Sequence, residues 1–226
     1  MCGFVAGIQG EDGVRILREW LRFGLGKKWE IREMEIKHAA WVPVGPVEVD
    51  SWDFVLASYL HGLSHTLRVM HHVLAIASQG RSARYAAEVV REAWCAAIIH
   101  DMARRHEGHC DLHGRWSVAE RLPVWQERFR AWGVEHAGIE RIAFAVELHC
   151  LPKSSADPHH PGSPVLHLLQ DADALDRVRF SGWCDQDCMD PRRLHDATVA
   201  GLEPAAQAFF SRHAEVERWE EMRDEG

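Results

Sequence analysis

The sequence predicts an all-α bundle, and three observations carry that reading. Apolar residues recur at three- and four-residue steps, as in Leu67, Met70, Leu74 and Ile76. Strand-like alternation never persists beyond a few residues, Trp41-Val42-Pro43-Val44 being the one short candidate. Breaks fall where glycine and proline collect, at Gly80, Gly108, Gly133 and the stretch from Pro152 to Pro164.

Residues 1–50 read as an N-terminal extension. Within it Asp12 to Leu25 predicts an amphipathic helix, with Val14, Ile16, Leu17, Trp20, Leu21 and Phe23 on the apolar side, and Trp29 to Trp41 an appendage packed beside it. The main helical domain spans 51–212. Its first helix begins with the series Val55, Leu56, Tyr59, Leu60 and Leu63 and runs on to Ile76. His61, His65 and His72 lie near one face of it. Ala86 to Ile99, rich in alanine and valine, predicts a closely packed second helix. Glu120 to Trp132, Ile139 to His149, Val165 to Phe180 and Asp196 to Phe210 complete the series, and 213–226 form a helical tail. The chain has no internal repeat.

At 226 residues the chain can bury a substantial core. Its formal net charge of −8 excludes a surface built to coat long nucleic acid. No apolar run is long enough to span a membrane, and no basic-then-apolar leader is visible. Six scattered cysteines without a compact framework suit a reducing cytosol, so a cytoplasmic location is expected. Cys184 and Cys188 frame a loop and read better as two free thiols than as half a zinc site.

The chemistry concentrates where an apolar helix stops. Ala96-Ala97-Ile98-Ile99 runs straight into His100-Asp101. Upstream stands His65, in Ser64-His65-Thr66-Leu67-Arg68-Val69. Downstream stands Asp171, opening the run Asp171-Ala172-Asp173-Ala174-Leu175-Asp176. Two imidazoles and two carboxylates make a mixed nitrogen and oxygen set suited to a transition metal. These four positions and their contexts resemble the HD-domain metal-dependent phosphohydrolase superfamily, over roughly residues 55 to 180.

The resemblance implies a helical HD bundle and assigns roles. His65, His100, Asp101 and Asp171 are the expected ligands of one divalent metal, with Asp101 and His100 central to catalysis. His113 and His149 match places where two-metal members carry extra ligands, and Asp101 would then bridge two ions about 3.5–4 Å apart. Asp171 is preferred over Asp173 as ligand because the pattern is taken to place it first in the run. His167, one turn earlier, is its expected partner, and Asp173 and Asp176 are left to solvent or to Arg177 and Arg179. Cys150 stands where cyclic-dinucleotide phosphodiesterases of the family have a second consecutive histidine, which departs from that subgroup. Arg68, Arg104, Lys153 and Arg177 lie near the ligands in sequence and are candidates to bind a phosphate.

The implied cofactor is Mn, Fe, Co, Ni or Zn, one or two per chain. Mg is disfavoured because it prefers oxygen and water. The implied activity is hydrolysis of a nucleotide or other small phosphate ester. Two other readings use the same residues: a di-iron oxygenase, as in a few family members, and a non-catalytic nucleotide-binding regulator. Separately, Met1-Cys2-Gly3-Phe4 resembles the start of class II glutamine amidotransferases, whose second residue becomes an N-terminal nucleophile. A domain of that type needs many strands, whereas the chain from residue 53 reads as helix.

Overall fold

The computed structural model of the protein describes residues 21–24, 28–31, 48–56, 58, 60–79, 85–180 and 194–211. Six α-helices make its body: α1 (Leu63–Ala77), α2 (Ala87–Ile99), α3 (His113–Glu120), α4 (Leu122–Ala131), α5 (His136–Leu148) and α6 (Ser163–Leu175). A further helical stretch covers 203–211. The expected all-α bundle is therefore present. No helix among the described residues is long and apolar enough to cross a membrane.

Helix α2 is the centre of the packing. From Ala93 to Ile99 every residue of it is buried, and it packs against α1, α5 and α6. A helix apolar all round belongs in the middle of a bundle. Its alanines let neighbouring backbones come close, while Trp94, Ile98 and Ile99 fill the space between them. Each such large side chain, fully buried, contributes roughly 1.5–3 kcal/mol. Glu92 is the one buried polar residue on this helix. It takes a two-pronged ion pair from Arg141 of α5, Nε to Oε2 at 2.8 Å and Nη2 to Oε1 at 2.6 Å.

Several boundaries differ from the sequence reading, each for a local reason. The first helix starts at Leu63, not near Val55, because Val55 N–H donates to the Met102 carbonyl instead of a helical partner. The expected helix at Glu120 to Trp132 is two helices. Pro123 has no N–H and suits the first turn of α4, so the chain restarts at Leu122. Helix α4 ends on Gly133 at φ 85°, where Val134 N–H donates to Phe129 and Gly133 N–H to Arg130. That pattern needs a left-handed residue, which glycine supplies without strain. Beyond Leu175 the Val165 to Phe180 segment tightens into a 3-10 turn over Asp176–Phe180. The Asp196 to Phe210 segment likewise begins as a 3-10 turn, Ala197–Leu202, capped by Asp196.

The N-terminal extension departs further. Leu21–Gly24 is a strand, β1, not the end of a helix. It pairs antiparallel with β2 (Lys28–Ile31), which pairs antiparallel with β3 (Glu48–Asp50). Phe23 opposite Trp29 shows how these bulky residues suit a hairpin as well as they suit a helix. Val49 of β3 is buried in the main core. The rest of the expected Asp12 to Leu25 helix, the Trp41 to Val44 stretch, Cys2, Cys184, Cys188 and the 213–226 tail lie outside the described residues.

Helix α3 meets α5 with almost no space between them. A Cβ at Gly114 would stand 2.3 Å from the Val146 carbonyl oxygen and 2.8 Å from that of Glu147. Gly114→Ala should therefore force the two backbones apart and cost about 1–3 kcal/mol in urea denaturation. Gly201→Ala, whose Cβ meets nothing within 4 Å, should change stability by less than about 0.5 kcal/mol. Equal stability of the two variants would contradict the close α3–α5 contact.

Candidate metal centre

Four histidines converge at the ends of four helices. His65 lies in the first turn of α1, His100 immediately follows α2, His113 begins α3 and His149 immediately follows α5. All four are buried. Three of them are fixed by one local device, in which the ring folds back three residues. His100 Nδ1 pairs with the Ala97 carbonyl at 2.8 Å, His113 Nδ1 with that of Cys110 at 2.7 Å, and His149 Nδ1 with that of Val146 at 2.7 Å. The fourth, His65, pairs its Nδ1 with Asp176 Oδ2 at 2.7 Å. Carbonyls accept only, so Nδ1 carries the proton at His100, His113 and His149, and each Nε2 is left with a lone pair.

The lone pairs of His113 and His149 face one another, and that of His100 faces the His65 ring nitrogen. His65 Nε2 lies 3.2 Å from His100 Nε2, and His113 Nε2 lies 3.0 Å from His149 Nε2. Two bare imidazole lone pairs at such distances repel unless a cation or a proton stands between them. A proton is disfavoured on two of these rings. Burial pushes His100 down to about 3 and, with lesser help from His149, lowers His113. At His65 burial and Arg179 pull downward, but hydrogen bonds to Asp173 and Asp176 outweigh them and the value rises.

Between the two imidazole pairs lies the Asp101 carboxylate, itself buried. Its Oδ2 is 3.6 Å from His65 Nε2 and 3.7 Å from His100 Nε2. Its Oδ1 is 3.1 Å from His113 Nε2 and 3.8 Å from His149 Nε2. Burial opposes its charge, yet His100, with His113, His149 and His61 close around it, holds it well below the ordinary carboxylate range. Oδ1 is buried without a hydrogen-bond partner. An ionised, orphaned carboxylate oxygen beside unprotonated imidazoles is what a cation would satisfy. The centre thus could hold a metal ion, through His65, His100 and Asp173, through His61, His65 and Asp101, or through His100, Asp101 and His149.

The carboxylate from α6 is the main correction. Asp173, not Asp171, joins the centre, with Oδ1 at 3.3 Å from His65 Nε2. Residues two apart on a helix point about 200° from each other, so only one of the pair can face the histidines. Asp171 faces the other way, accepting the His195 amide at 2.7 Å and the Asp196 amide at 3.0 Å. It anchors the returning chain. His167, its expected partner, stacks instead on His195 at 3.8 Å. Asp176, three residues beyond Asp173, shares the inward side and is neither solvated nor peripheral. It accepts Arg68 Nε at 2.7 Å, Arg179 Nη1 at 3.2 Å and His65 Nδ1. A carboxylate behind a ligating imidazole fixes its tautomer and orientation.

The expected phosphate-binding cations divide. Arg68 is committed to Asp176. Arg104 holds the loop that leads into α3, where Nε and Nη2 donate to the His106 and Gly108 carbonyls at 3.0 and 2.6 Å, and its Nη1 reaches the centre, 3.8 Å from Asp101 Oδ1. Lys153 is exposed and acts on His167 and His195, while Arg177 is half-buried in the turn after α6. Sequence reasoning placed His61 only as a neighbour of His65. Its Nδ1 is 3.0 Å from Asp101 Oδ2, and its four-residue spacing from His65 was the available signal. Ser117, also missed, clamps the turn after α2, accepting the Ala103 amide and donating to the His100 carbonyl. Comparison with family models, curated proteins and solved structures finds no match.

Asp173→Ala should lose metal at the His65–His100 side while leaving the thermal stability of the metal-free protein nearly unchanged. Asp171→Ala should do the reverse, costing about 1–3 kcal/mol by stranding two amides while metal content stays whole. Metal analysis beside thermal denaturation separates them, and metal loss confined to Asp171→Ala would contradict the assignment. Because His65 binds its proton more tightly than an ordinary imidazole, metal affinity should weaken as pH falls through and below its raised value. A pH-independent affinity between pH 8 and pH 6 would contradict it.

Proposed function

We propose that the protein is a metal-dependent phosphohydrolase of the HD type, cleaving a nucleotide or other small phosphate ester. One observation carries this reading: a single buried carboxylate, Asp101, turns one oxygen to each of two imidazole groups. That arrangement suits two divalent cations. His65, His100, Asp173 and Asp101 Oδ2 would hold one, and His113, His149 and Asp101 Oδ1 the other. Bound there, divalent metal lowers the pKa of a coordinated water towards about 7 and offsets phosphoryl charge.

The chain's own groups supply the rest. Asp176 and the Ala97, Cys110 and Val146 carbonyls keep the four rings aimed, so no reorganisation is needed as charge develops. Asp101 and Asp173 stay ionised, Asp173 being held below the ordinary range by His65 against the opposing effect of its burial. Arg68, Arg104, Lys153 and Arg177 stay the candidates to meet a substrate phosphate, Arg68 and Arg104 also holding internal partners. Mixed imidazole and carboxylate ligation favours Mn, Fe, Co, Ni or Zn. The acidic net charge favours a small-molecule substrate over long nucleic acid, in a cytoplasmic setting.

Protein loaded with Mn under argon should release the leaving group from a chromogenic phosphodiester or phosphomonoester. Asp101→Ala should bring that rate to background while the helical signal is kept. Product formation that strictly requires iron and oxygen would replace this reading with a di-iron oxygenase. Turnover retained by Asp101→Ala would remove Asp101 from the chemistry.

A further inference from the structure

Cys150 directly follows His149 where α5 ends, and the site just described makes no use of it. His113, His149 and Cys150 offer three donor atoms that all lie within 4.8 Å of one another. The thiol is free and half-buried, and burial pushes it up, with the Gly114 and Cys150 amides opposing that rise in part. Gly114 can lie close to the end of α5 because it carries no side chain. A second, independent observation points to the same spot. Asp101 Oδ1, buried and without a hydrogen-bond partner, stands 3.1 Å from His113 Nε2 and 3.8 Å from His149 Nε2.

The two sides of Asp101 therefore differ in kind. The His65, His100 and Asp173 side offers only nitrogen and oxygen. The His113 and His149 side adds sulfur. Thiolate selects Zn and other borderline or soft ions, whereas carboxylate and water suit Mn. We propose that Cys150 is a sulfur ligand of the second metal position, making it a His113, His149, Cys150 and Asp101 site selective for Zn²⁺ or Co²⁺. The inference rests on the metal-centre reading above. On binding, the metal–sulfur bond replaces the S–H bond and one proton passes to solvent, with no change of oxidation state.

Cobalt titration of the full chain tests this, because a cobalt–thiolate bond absorbs in the near ultraviolet and nitrogen or oxygen ligation does not. The intact protein should bind two Co²⁺ and gain the band. Cys150→Ser should lose the band, and its weaker-held cobalt should bind about tenfold or more less tightly, at least the loss typical of an outer partner. The Cys184→Ser/Cys188→Ser double variant should keep the band. Cobalt bound without the band, or a band surviving in Cys150→Ser, overturns the proposal and leaves the metal centre standing. No cobalt binding at all overturns both. If Cys150→Ser misfolds, alkylation of the intact protein decides. Zn²⁺ should slow modification of Cys150 about tenfold or more, and an unchanged rate overturns the sulfur ligand.

Discussion

An ionised carboxylate buried among imidazoles whose inward ring nitrogens crowd each other is the constraint on which this molecule turns. Asp101 and the facing pairs, His65 with His100 and His113 with His149, crowd together, and the Arg104 guanidinium reaches only to 3.8 Å from Asp101 Oδ1, too far to satisfy it alone. His100 and His113 resist protonation through burial while His65 holds its proton more tightly than usual, so a proton can answer the demand at the His65 pair but answers it poorly at His113 near neutral pH. Divalent cations answer it well. An uncompensated buried charge costs several kcal/mol, so the same groups that would hold metal also make the apo centre a point of weakness. Metal bound only by the folded chain would stabilise it by mass action.

The bundle exists to bring helix ends together. The second half of α2 is buried on all sides and delivers His100 and Asp101 at its end, α5 delivers His149 the same way, and α3 opens with His113. Placing ligands at termini serves two needs at once. The last carbonyls of a helix lack intrahelical partners, and the Nδ1 groups of His100 and His149 satisfy two of them, at Ala97 and Val146, while His113 takes the Cys110 carbonyl in the loop before α3, each aiming Nε2 inward. Behind them Asp176, Arg68 and Arg179 form a buried charged layer that positions His65.

The fold and the imidazoles were legible because their signals are strong and local. Periodicity found α2, α5 and α6 to within a few residues, and an apolar run ending in histidine marked both His100 and His149. The α6 carboxylate was not legible from the pattern alone. Asp171, Asp173 and Asp176 are chemically alike, and only helix rotation tells which faces the centre. The internal partners of Arg68 and Arg104 were not legible for a related reason: nearness in sequence says nothing of the partner a guanidinium finds. The β1–β3 hairpin arrangement escaped because Leu21 and Phe23 fit a helical stripe and a strand equally well. Pairing between segments as far apart as β2 and β3 leaves no periodic trace in either.

The central claim is that metal sits between the imidazole pairs, on both sides of Asp101. Diffraction from crystals of the metal-loaded protein, recorded across the absorption edge of that metal, locates such ions by element. The account predicts an anomalous peak within ligand distance of His65, His100 and Asp173, and a second beside His113 and His149, with Asp101 between them. Crystals soaked in saturating metal that show no peak among these residues, or a peak at Asp171, would contradict it.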